Sequence, residues 1–339
     1  MVVDLVVAGG GPAGLATALH AVAAGLTVVV RDPRDGVVDK ACGEGVMPSG
    51  VAHLEWLGVR PRGRELVGIR YCAPGRRAET RFSGRPGRGV RRTELHRALR
   101  SAVLDAGVVI ERGRVRTVTQ QRGGVVVDGE PAGYVVVADG LHSPLRRALG
   151  LEARAPGPVR YGLRRHVRLV PWTDHVEVHW AEHAEAYVTP VAADEVGIAI
   201  LTSRRAPYDT HLTDFPELLA RVAGAEPASD VRGAGPLRQE SRRRVVGRAL
   251  LVGDASGYVD ALTGEGISLA LAQAEAAVGH VVAGDVAGYE RAWRRIVRRH
   301  RLLTRALLAV GGSPARPLLV PAAERLPRVF AAAVDAVGG

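Results

Sequence analysis

The stretch VVDLVVAGGGPAGLATALHAVAAGLTVVVRD, residues 2–32, decides the fold of this 339-residue chain. Its β-branched start is typical of a buried parallel strand, and the alanine-rich segment after the glycines predicts a helix. Gly9 permits a sharp turn, Gly11 lets the backbone approach a pyrophosphate, and Gly14 lets the helix pack on the strand. The helix start offers free N–H groups and a partial positive charge, so the stretch predicts a dinucleotide site.

A second apolar strand, TVVVRD, ends at Asp32. A carboxylate at this position accepts hydrogen bonds from both hydroxyls of an adenosine ribose and disfavours a 2′-phosphate. We therefore expect the nucleotide to be FAD or NAD rather than NADP.

The stretch GDASGYVDALTGEGISLAL, residues 253–271, repeats the pattern of strand, glycine turn and helix. Asp254 follows an apolar strand, where its carboxylate is placed for ribityl hydroxyls near the pyrophosphate. A helix that begins near Gly264 to Ile267 would direct its N–H groups at the flavin pyrimidine edge, which becomes negative on reduction. A flavin must be held at both ends whereas NAD needs only the first site, so the two units favour FAD.

A third apolar strand lies in YVVVADGLHSPLRRALG and ends at Asp139 and Gly140. In this order, the three motifs resemble those of flavoprotein monooxygenases of the para-hydroxybenzoate hydroxylase type and of their relatives, the geranylgeranyl reductases. The resemblance covers nearly the whole chain. It implies an α/β fold with a Rossmann-like FAD-binding domain of the glutathione reductase type, an inserted antiparallel β-sheet substrate domain and a C-terminal helical segment.

The resemblance also implies further contacts to FAD. Arg92, before the helix TELHRALRSAV, would contact the cofactor, and the backbone of Val115 would lie by the adenine. The loop DKACGEGVMPSG, residues 39–50, is similar to a loop of the reductase branch that approaches the flavin. The predicted FAD-binding residues are Gly9, Gly11, Pro12, Ala13, Gly14, Asp32, Cys42, Gly43, Gly45, Arg92, Val115, Asp139, Gly140, Gly253, Asp254, Gly264, Gly266 and Ile267.

Two residues of this loop have alternative interpretations. Cys42 is either a thiol that lines the substrate cavity or a small residue in a tight loop. Glu44 is either a polar group near the flavin ring or an exposed loop carboxylate.

From Val159 to about Ser203 the sequence alternates as in β-strands, which predicts an antiparallel sheet over the flavin with the substrate pocket on its inner face. The candidate polar and aromatic residues of that pocket are Arg164, His166, His179 and Tyr187. The predicted domains are residues 1–155 with 235–285 for FAD, with substrate-side elements near 60–85, then 156–234 for the substrate sheet and 286–339 for C-terminal helices.

Composition excludes some classes of function. The net charge is +11 and the pI about 10.6, but arginines occur along the whole chain, so we expect no nucleic-acid binding. Cys42 and Cys72 have neither disulfide nor metal spacing, and we expect no metal and a cytoplasmic protein. The basic helix YERAWRRIVRRHRLLTRALLAV is expected to cover the FAD domain, and contact with an anionic membrane surface is the alternative that we do not favour.

The resemblance implies an FAD-dependent monooxygenase that hydroxylates or epoxidises a hydrophobic small molecule with O2. NADH or NADPH would reduce the flavin, on this chain or through a separate flavin reductase, and a C4a-hydroperoxide would transfer one oxygen. The segment EAYVTPV, residues 185–191, lacks the tryptophans of flavin halogenases, so we do not expect halogenation.

The alternative function is reduction of isoprenoid double bonds, which the loop KACGEG and the segment LTGEGI favour. Two further alternatives belong to other classes, a non-redox FAD-binding scaffold and a basic nucleic-acid-binding protein.

Overall fold

A computed structural model describes residues 2–155 and 157–338. Residues 1, 156 and 339, which stand at the limits of predicted domains, lie outside the described residues. The strands are β1 Val3–Ala8, β2 Val28–Asp32, β3 Gly45–Val46, β4 Arg64–Leu66, β5 Gly68–Ala73, β6 Arg76–Arg81, β7 Gly87–Gly89, β8 Val109–Arg112, β9 Val118–Gln121, β10 Gly124–Val127, β11 Glu130–Val137, β12 Glu152–Ala153, β13 Tyr161–Arg168, β14 His175–Trp180, β15 Ala184–Ala192, β16 Glu195–Thr202, β17 Arg232–Ala234, β18 Glu240–Ser241, β19 Val245–Val246 and β20 Ala249–Leu251. The helices are α1 Pro12–Ala23, α2 Pro48–Trp56, α3 Arg92–Asp105, α4 Pro144–Ala148, α5 Tyr208–Leu212, α6 Pro216–Arg221, α7 Gly266–Val282, α8 Tyr289–Gly311, α9 Leu319–Arg325 and α10 Pro327–Gly338.

An eight-stranded sheet forms the first layer, in the order β19-β20-β11-β1-β2-β8, and the β9–β10 hairpin extends it beside β11. Strands β20, β11, β1, β2 and β8 are parallel. Their runs of valine and leucine suit strands that are buried on both faces. Because the carboxyl ends of parallel strands meet at one edge, the turns after β1, β11 and β20 lie side by side there.

A seven-stranded sheet, in the order β17-β13-β16-β15-β14-β5-β6, forms the second layer. Its pairs are antiparallel except for β14 and β5, which run parallel. The strands that the alternation after Val159 predicted, β13 to β16, pair antiparallel as expected, and the parallel pair arises because β5 joins them from an earlier part of the chain. The two strands are about a hundred residues apart in the chain, so no hairpin dictates their relative direction.

The two sheets have separate cores, and the helices join them. Helices α1 and α7 pack in one core with Trp293 and Val297 of α8, while Leu303 and Leu307 of the same helix pack on the core of the second sheet. Helices α9 and α10 lie on β6, where Phe330 joins the second core. The predicted fold class, an FAD-binding α/β fold with a parallel sheet, is confirmed.

A helix that crosses a bilayer must be both long and apolar. Among the described residues, no single helix is long and apolar enough to cross a membrane. Within residues 2–155 and 157–338, one pair of helices, Val286–Gly311 and Arg316–Arg325, reaches that length and composition when taken together, and it is bent by 116° at its break.

The contact between α1 and β1 depends on Gly14. A Cβ at this position would lie 1.8 Å from the Gly9 carbonyl oxygen, and that oxygen cannot move without opening the turn. We expect Gly14→Ala to lower the free energy of unfolding of the apoprotein by about 3 kcal/mol, measured by urea denaturation.

The matched control is Gly11→Ala, because no described heavy atom lies within 4 Å of a Cβ there. Its cost should stay under about 1 kcal/mol. Equal denaturation midpoints for the two variants would contradict the role given to Gly14.

Candidate functional site

The first glycine turn places the start of α1 at the edge of a deep cavity. Gly9 has φ of 118°, and a Cβ there would lie 2.4 Å from the Ala138 carbonyl oxygen of the neighbouring strand. Gly11 and Pro12 line the cavity, and no described side chain caps the first turn of α1. The N–H groups of that turn are therefore free for a ligand.

Asp32 lies behind this turn, at the end of β2. Its Oδ2 accepts a hydrogen bond from the Gly10 N–H at 2.5 Å, and its Oδ1 accepts from the Arg34 main-chain N–H and Nε, each at 2.8 Å. Although burial opposes ionisation, the hydrogen bonds from Arg34 and Gly10 lower the pKa of Asp32. The carboxylate thus braces the glycine turn, and Arg34 lines the cavity in its place.

The second glycine turn lies directly beside the first. Gly253 has φ of 59°, and a Cβ there would lie 2.8 Å from the Ala13 side chain of α1. Its N–H donates to Gln273 Oε1 of α7 at 2.8 Å, which fixes the turn to the following helix. Asp254 and the start of α7 at Gly266 both line the cavity.

Both turns open into the same cavity of about 940 Å³. The starts of α1 and α7 therefore point free N–H groups at one space. This arrangement suits a single extended dinucleotide, because one helix start can face its pyrophosphate and the other can face one of its ends.

The loop before β3 is held by a buried carboxylate that is hydrogen-bonded on both of its oxygens. Glu44 has φ of 61° and is only 1% exposed. Its Oε1 accepts from the Arg92 main-chain N–H at 2.8 Å, and its Oε2 lies 2.5 Å from His166 Nε2. The structure excludes the interpretation of Glu44 as an exposed carboxylate, because its side chain is buried and paired, and its place near the flavin ring stays a prediction.

The second nitrogen of His166 completes the network. His166 Nδ1 lies 2.9 Å from Ser229 Oγ and 3.0 Å from Arg164 Nη1, while Arg164 also pairs with Asp39. An arginine can only donate, so Nδ1 accepts and the ring proton lies on Nε2, facing Glu44. The network joins the loop of residues 39–45 to strand β13.

Apolar side chains line the far part of the cavity. One wall is the inner face of the seven-stranded sheet, with Ile69, Tyr71, Val176, Val178 and Leu201, and the other wall is formed by the C-terminal helices, with Leu303, Leu307, Leu319, Phe330 and Val334. Tyr187 donates its hydroxyl to the Leu262 carbonyl at 2.8 Å, and burial raises its pKa well above the usual value. That hydroxyl is already committed to the protein, so this part of the cavity presents mainly hydrocarbon.

The chain resembles known flavoproteins over most of its length. The family model described as FAD binding domain matches residues 2–280. The chain belongs to this FAD-binding family. It is 30% identical over 332 residues to menaquinone reductase of Mycolicibacterium smegmatis, covering 88% of this chain and 80% of that protein. It is 29% identical over 334 residues to digeranylgeranylglycerophospholipid reductase 1 of Methanothermobacter thermautotrophicus, covering 86% and 82%.

Solved structures of this FAD-binding fold superpose on the chain. A flavoprotein/dehydrogenase from Cytophaga hutchinsonii has a TM-score of 0.87 at 16% identity, covering 99% of this chain and 92% of that one. Halogenase PltM in complex with phloroglucinol and FAD has a TM-score of 0.77 at 16% identity, covering 92% and 77%. At this identity the likeness shows the fold alone. With the family match, the chain is a flavin-dependent oxidoreductase with an FAD site.

The polar part of the cavity fits FAD. Arg92 is buried, and its Nη1 has no hydrogen-bond partner within the described part of the chain; the same holds for Asp139 Oδ1. Both side chains line the cavity. A buried donor and a buried acceptor without partners require polar ligand atoms, which the phosphates and hydroxyls of FAD provide.

Burial also shifts the pKa of these groups. It raises the pKa of Asp139 and of Asp254, and it lowers the pKa of Arg92 and of Lys40. The charges of Lys40 and Arg92 lower the pKa of Asp254 in turn. The groove therefore mixes cations and carboxylates, as a ligand with both phosphates and hydroxyls requires.

Most of the predicted residues line this cavity, and their contacts to FAD stay predictions. The lining set is Gly11, Pro12, Ala13, Cys42, Gly43, Glu44, Gly45, Arg92, Asp139, Gly140, Arg164, Tyr187, Gly253, Asp254, Gly264, Gly266 and Ile267. The remaining predicted residues do not line the cavity. Gly9 and Gly14 lie inside the first glycine turn, Asp32 is bound to Arg34, His166 lies behind Glu44, His179 lies beside Glu177, and Val115 lies in the core of the first sheet.

Arg34, Lys40 and Tyr258 line the cavity but were not predicted from sequence. Two features of the sequence could have indicated the first two residues. Arg34 follows Asp32 of β2 by two residues, and Lys40 is the only lysine in the sequence. Tyr258 lies inside the motif of residues 253–271, where a tyrosine carries no special signal.

One group outside the cavity could hold a metal by its spacing alone, namely Cys72, Glu177 and His179. Glu177, however, accepts hydrogen bonds from Arg70 at 2.9 Å and from Trp172 at 3.1 Å. Burial opposes its ionisation, but these bonds and His179 lower the pKa of Glu177 to about 2. An arginine already neutralises the carboxylate, so the group is explained as an ion pair.

The Glu44 network predicts a strong effect on stability. Glu44→Ala leaves the Arg92 N–H and His166 Nε2 without their buried acceptor. We expect the free energy of unfolding to fall by about 3–5 kcal/mol. Glu44→Gln keeps an acceptor oxygen and should cost about half as much, on the order of 2 kcal/mol.

Urea denaturation followed by circular dichroism measures both changes. Glu65→Ala is the matched control, because Glu65 is an exposed carboxylate on β4. A wild-type midpoint for Glu44→Ala would show that the buried pair does not hold the loop.

Proposed function

We propose that the protein is an FAD-dependent reductase that saturates a carbon–carbon double bond in the isoprenoid chain of a lipid-like substrate. The observation that carries the proposal is the two-part cavity of about 940 Å³, in which an apolar compartment adjoins the polar FAD groove. A compartment with mainly hydrocarbon walls suits a long apolar chain, because burial of apolar surface is its main source of binding free energy.

The relatives support the same proposal. Proteins named menaquinone reductase and digeranylgeranylglycerophospholipid reductase match the chain at 30% and 29% identity over most of its length. The halogenases resemble the chain at 16–18% identity. A likeness at this level supports a shared fold and says nothing about the reaction. The reductase, our alternative from sequence, therefore takes first place, and the monooxygenase becomes the second candidate.

When bound, FAD supplies the two electrons and the hydride that reduction of a double bond needs. The chain itself holds the reactants and excludes water. The sheet face and helices α9 and α10 enclose the substrate chain in hydrocarbon walls. The free N–H groups at the start of α7 and the Arg92 guanidinium stabilise negative charge on this side of the cavity.

Saturation of a double bond also requires one proton, and the Cys42 thiol is our candidate donor. Its Sγ lines the cavity and accepts a hydrogen bond from the Glu44 N–H at 3.3 Å. Burial and the charge of Glu44 raise the pKa of Cys42, so the thiol keeps its proton at neutral pH. A protonated thiol beside the reacting carbon can deliver that proton through Sγ–H.

The reaction class is tested under anaerobic conditions. The holoprotein is reduced with dithionite and mixed with a menaquinone or a geranylgeranyl lipid in detergent micelles, and the products are analysed by mass spectrometry. We expect a product that has gained two hydrogens without O2, because a hydride and a proton add to carbon.

Dithionite removes any dependence on the natural reductant, whether NADH, NADPH or a separate flavin reductase. The control is the same dithionite mixture without protein, because dithionite alone reduces a quinone ring, and only two hydrogens gained in the isoprenoid chain count as the product. A product that gains one oxygen and forms only in air would support the monooxygenase and overturn the reductase.

The Cys42 role is tested in the same assay. Cys42→Ala should slow product formation by about 10²-fold, the usual contribution of a general acid, at unchanged FAD content. Cys72→Ala is the matched control, because Cys72 is buried in β5 and is not among the residues that line the cavity. A wild-type rate for Cys42→Ala would assign the proton to another group.

A further inference from the structure

The apolar compartment opens to solvent at the junction of α9 and α10. Leu326 and Val329 line the cavity and yet are 55% and 63% exposed. Ala322, one turn before Leu326, is also exposed and also lines the cavity. Side chains that face both the cavity and the solvent mark a mouth. We call Ala322, Arg325, Leu326, Arg328 and Val329 the mouth surface.

Positive charge accompanies this apolar rim. Arg325 and Arg328 are exposed, and no salt bridge within residues 2–155 and 157–338 engages either of them. The neighbouring carboxylate, Glu324, is instead bound to β6, where it accepts from Arg76 Nη1 at 2.8 Å and from the Arg77 N–H at 3.0 Å. The mouth surface thus presents hydrocarbon and unbalanced positive charge together.

Helix α8, which packs against α10, adds to this charge. Residues 289–339 contain ten arginines against three acidic residues. The exposed arginines of α8 are Arg291, Arg294, Arg295, Arg298, Arg299 and Arg305. The C-terminal unit that encloses the apolar compartment is therefore strongly cationic.

We propose that the mouth surface docks on an anionic lipid bilayer and that a lipid chain enters the apolar compartment from the membrane through this mouth. Leucine and valine side chains insert at the boundary of the acyl chains, while arginines contact anionic head groups. The substrate route rests on the proposed function, but the docking requires only the surface described above.

A second copy of the chain is a poorer partner for the same surface. A symmetric dimer would bring two arginine pairs together without described acidic residues to balance them, which costs free energy. An anionic bilayer satisfies both the apolar rim and the charge.

The test is cosedimentation of the holoprotein with vesicles of phosphatidylcholine alone or of equal parts phosphatidylcholine and phosphatidylglycerol. We expect binding to the mixed vesicles that weakens with added salt. Leu326→Ser with Val329→Ser should weaken it by about tenfold or more, because both apolar contacts are lost. Arg325→Gln with Arg328→Gln should weaken binding to mixed vesicles by about tenfold.

The matched control is Leu104→Ser with Val109→Ser, which also removes one exposed leucine and one exposed valine. Leu104 of α3 is 48% exposed and Val109 of β8 is 60% exposed, and both belong to the FAD-binding part of the chain. It should bind as the wild type does, and FAD content checks the folding of every variant. Failure of the wild type to bind mixed vesicles, or wild-type binding by the Leu326 and Val329 double variant, would overturn the proposal. A third outcome would also overturn it. The wild type would form a dimer in size-exclusion chromatography, the Leu326 and Val329 double variant would be monomeric, and neither protein would bind vesicles.

Docking and reaction can fail separately. Vesicle binding without anaerobic reduction of a micellar substrate would overturn the proposed function alone. Reduction in micelles without vesicle binding would overturn the docking alone.

Discussion

The buried pair between Glu44 and His166 is the interaction on which the rest of the site depends. It joins the loop beside the FAD groove to the sheet that forms the apolar compartment, and both side chains are only 1% exposed. A carboxylate in such a place must be paired, so the loop has one position relative to the sheet. Gly197 leaves the necessary room, because a Cβ there would lie 2.8 Å from Glu44 Oε2.

That single position sets the boundary between the two halves of the cavity. Cys42 and Gly43 line it directly, and Thr189 of the sheet donates to the Gly43 carbonyl at 2.8 Å. On one side lie helix starts, cations and carboxylates, and on the other lie apolar side chains. A polar cofactor and an apolar substrate can therefore meet at the boundary, each in surroundings of matching polarity.

The C-terminal helices make this compartment possible. Without α9 and α10, the apolar side chains of β5, β14 and β16 that face the cavity would be exposed to water. Two carboxylates fasten the helices to the sheet edge, Glu324 at Arg76 and Asp335 at the Ser83 N–H, 3.0 Å away. Because these polar contacts are few, the apolar face of α9 and α10 lines the cavity. The mouth of the cavity lies at the junction of the two helices.

Much of the FAD half could be predicted from the sequence, since its determinants are local. A glycine turn, the helix start after it and an acid at a strand end each follow from a few consecutive residues, so the positions of Gly11 and Asp254 at the cavity edge could be expected, whereas Arg92 was implied by the family resemblance. The alternation after Val159 likewise predicted strands, although not their order. Val115, implied by the resemblance alone, has its side chain in the core of the first sheet, and the contact of its backbone with adenine stays a prediction.

Only the tertiary structure decided which residues line the apolar compartment. The sequence by itself determined the two helix starts and hence a dinucleotide fold, because turns and helix ends depend on neighbouring residues. Glu44 and His166 are 122 residues apart, and β14 pairs with β5 from a distant part of the chain. Such contacts form only when separate elements pack. No short stretch of residues could therefore predict three features of the structure: the burial of Glu44, the hydrogen bonds between Arg34 and Asp32, and the apolar wall formed by the last helices.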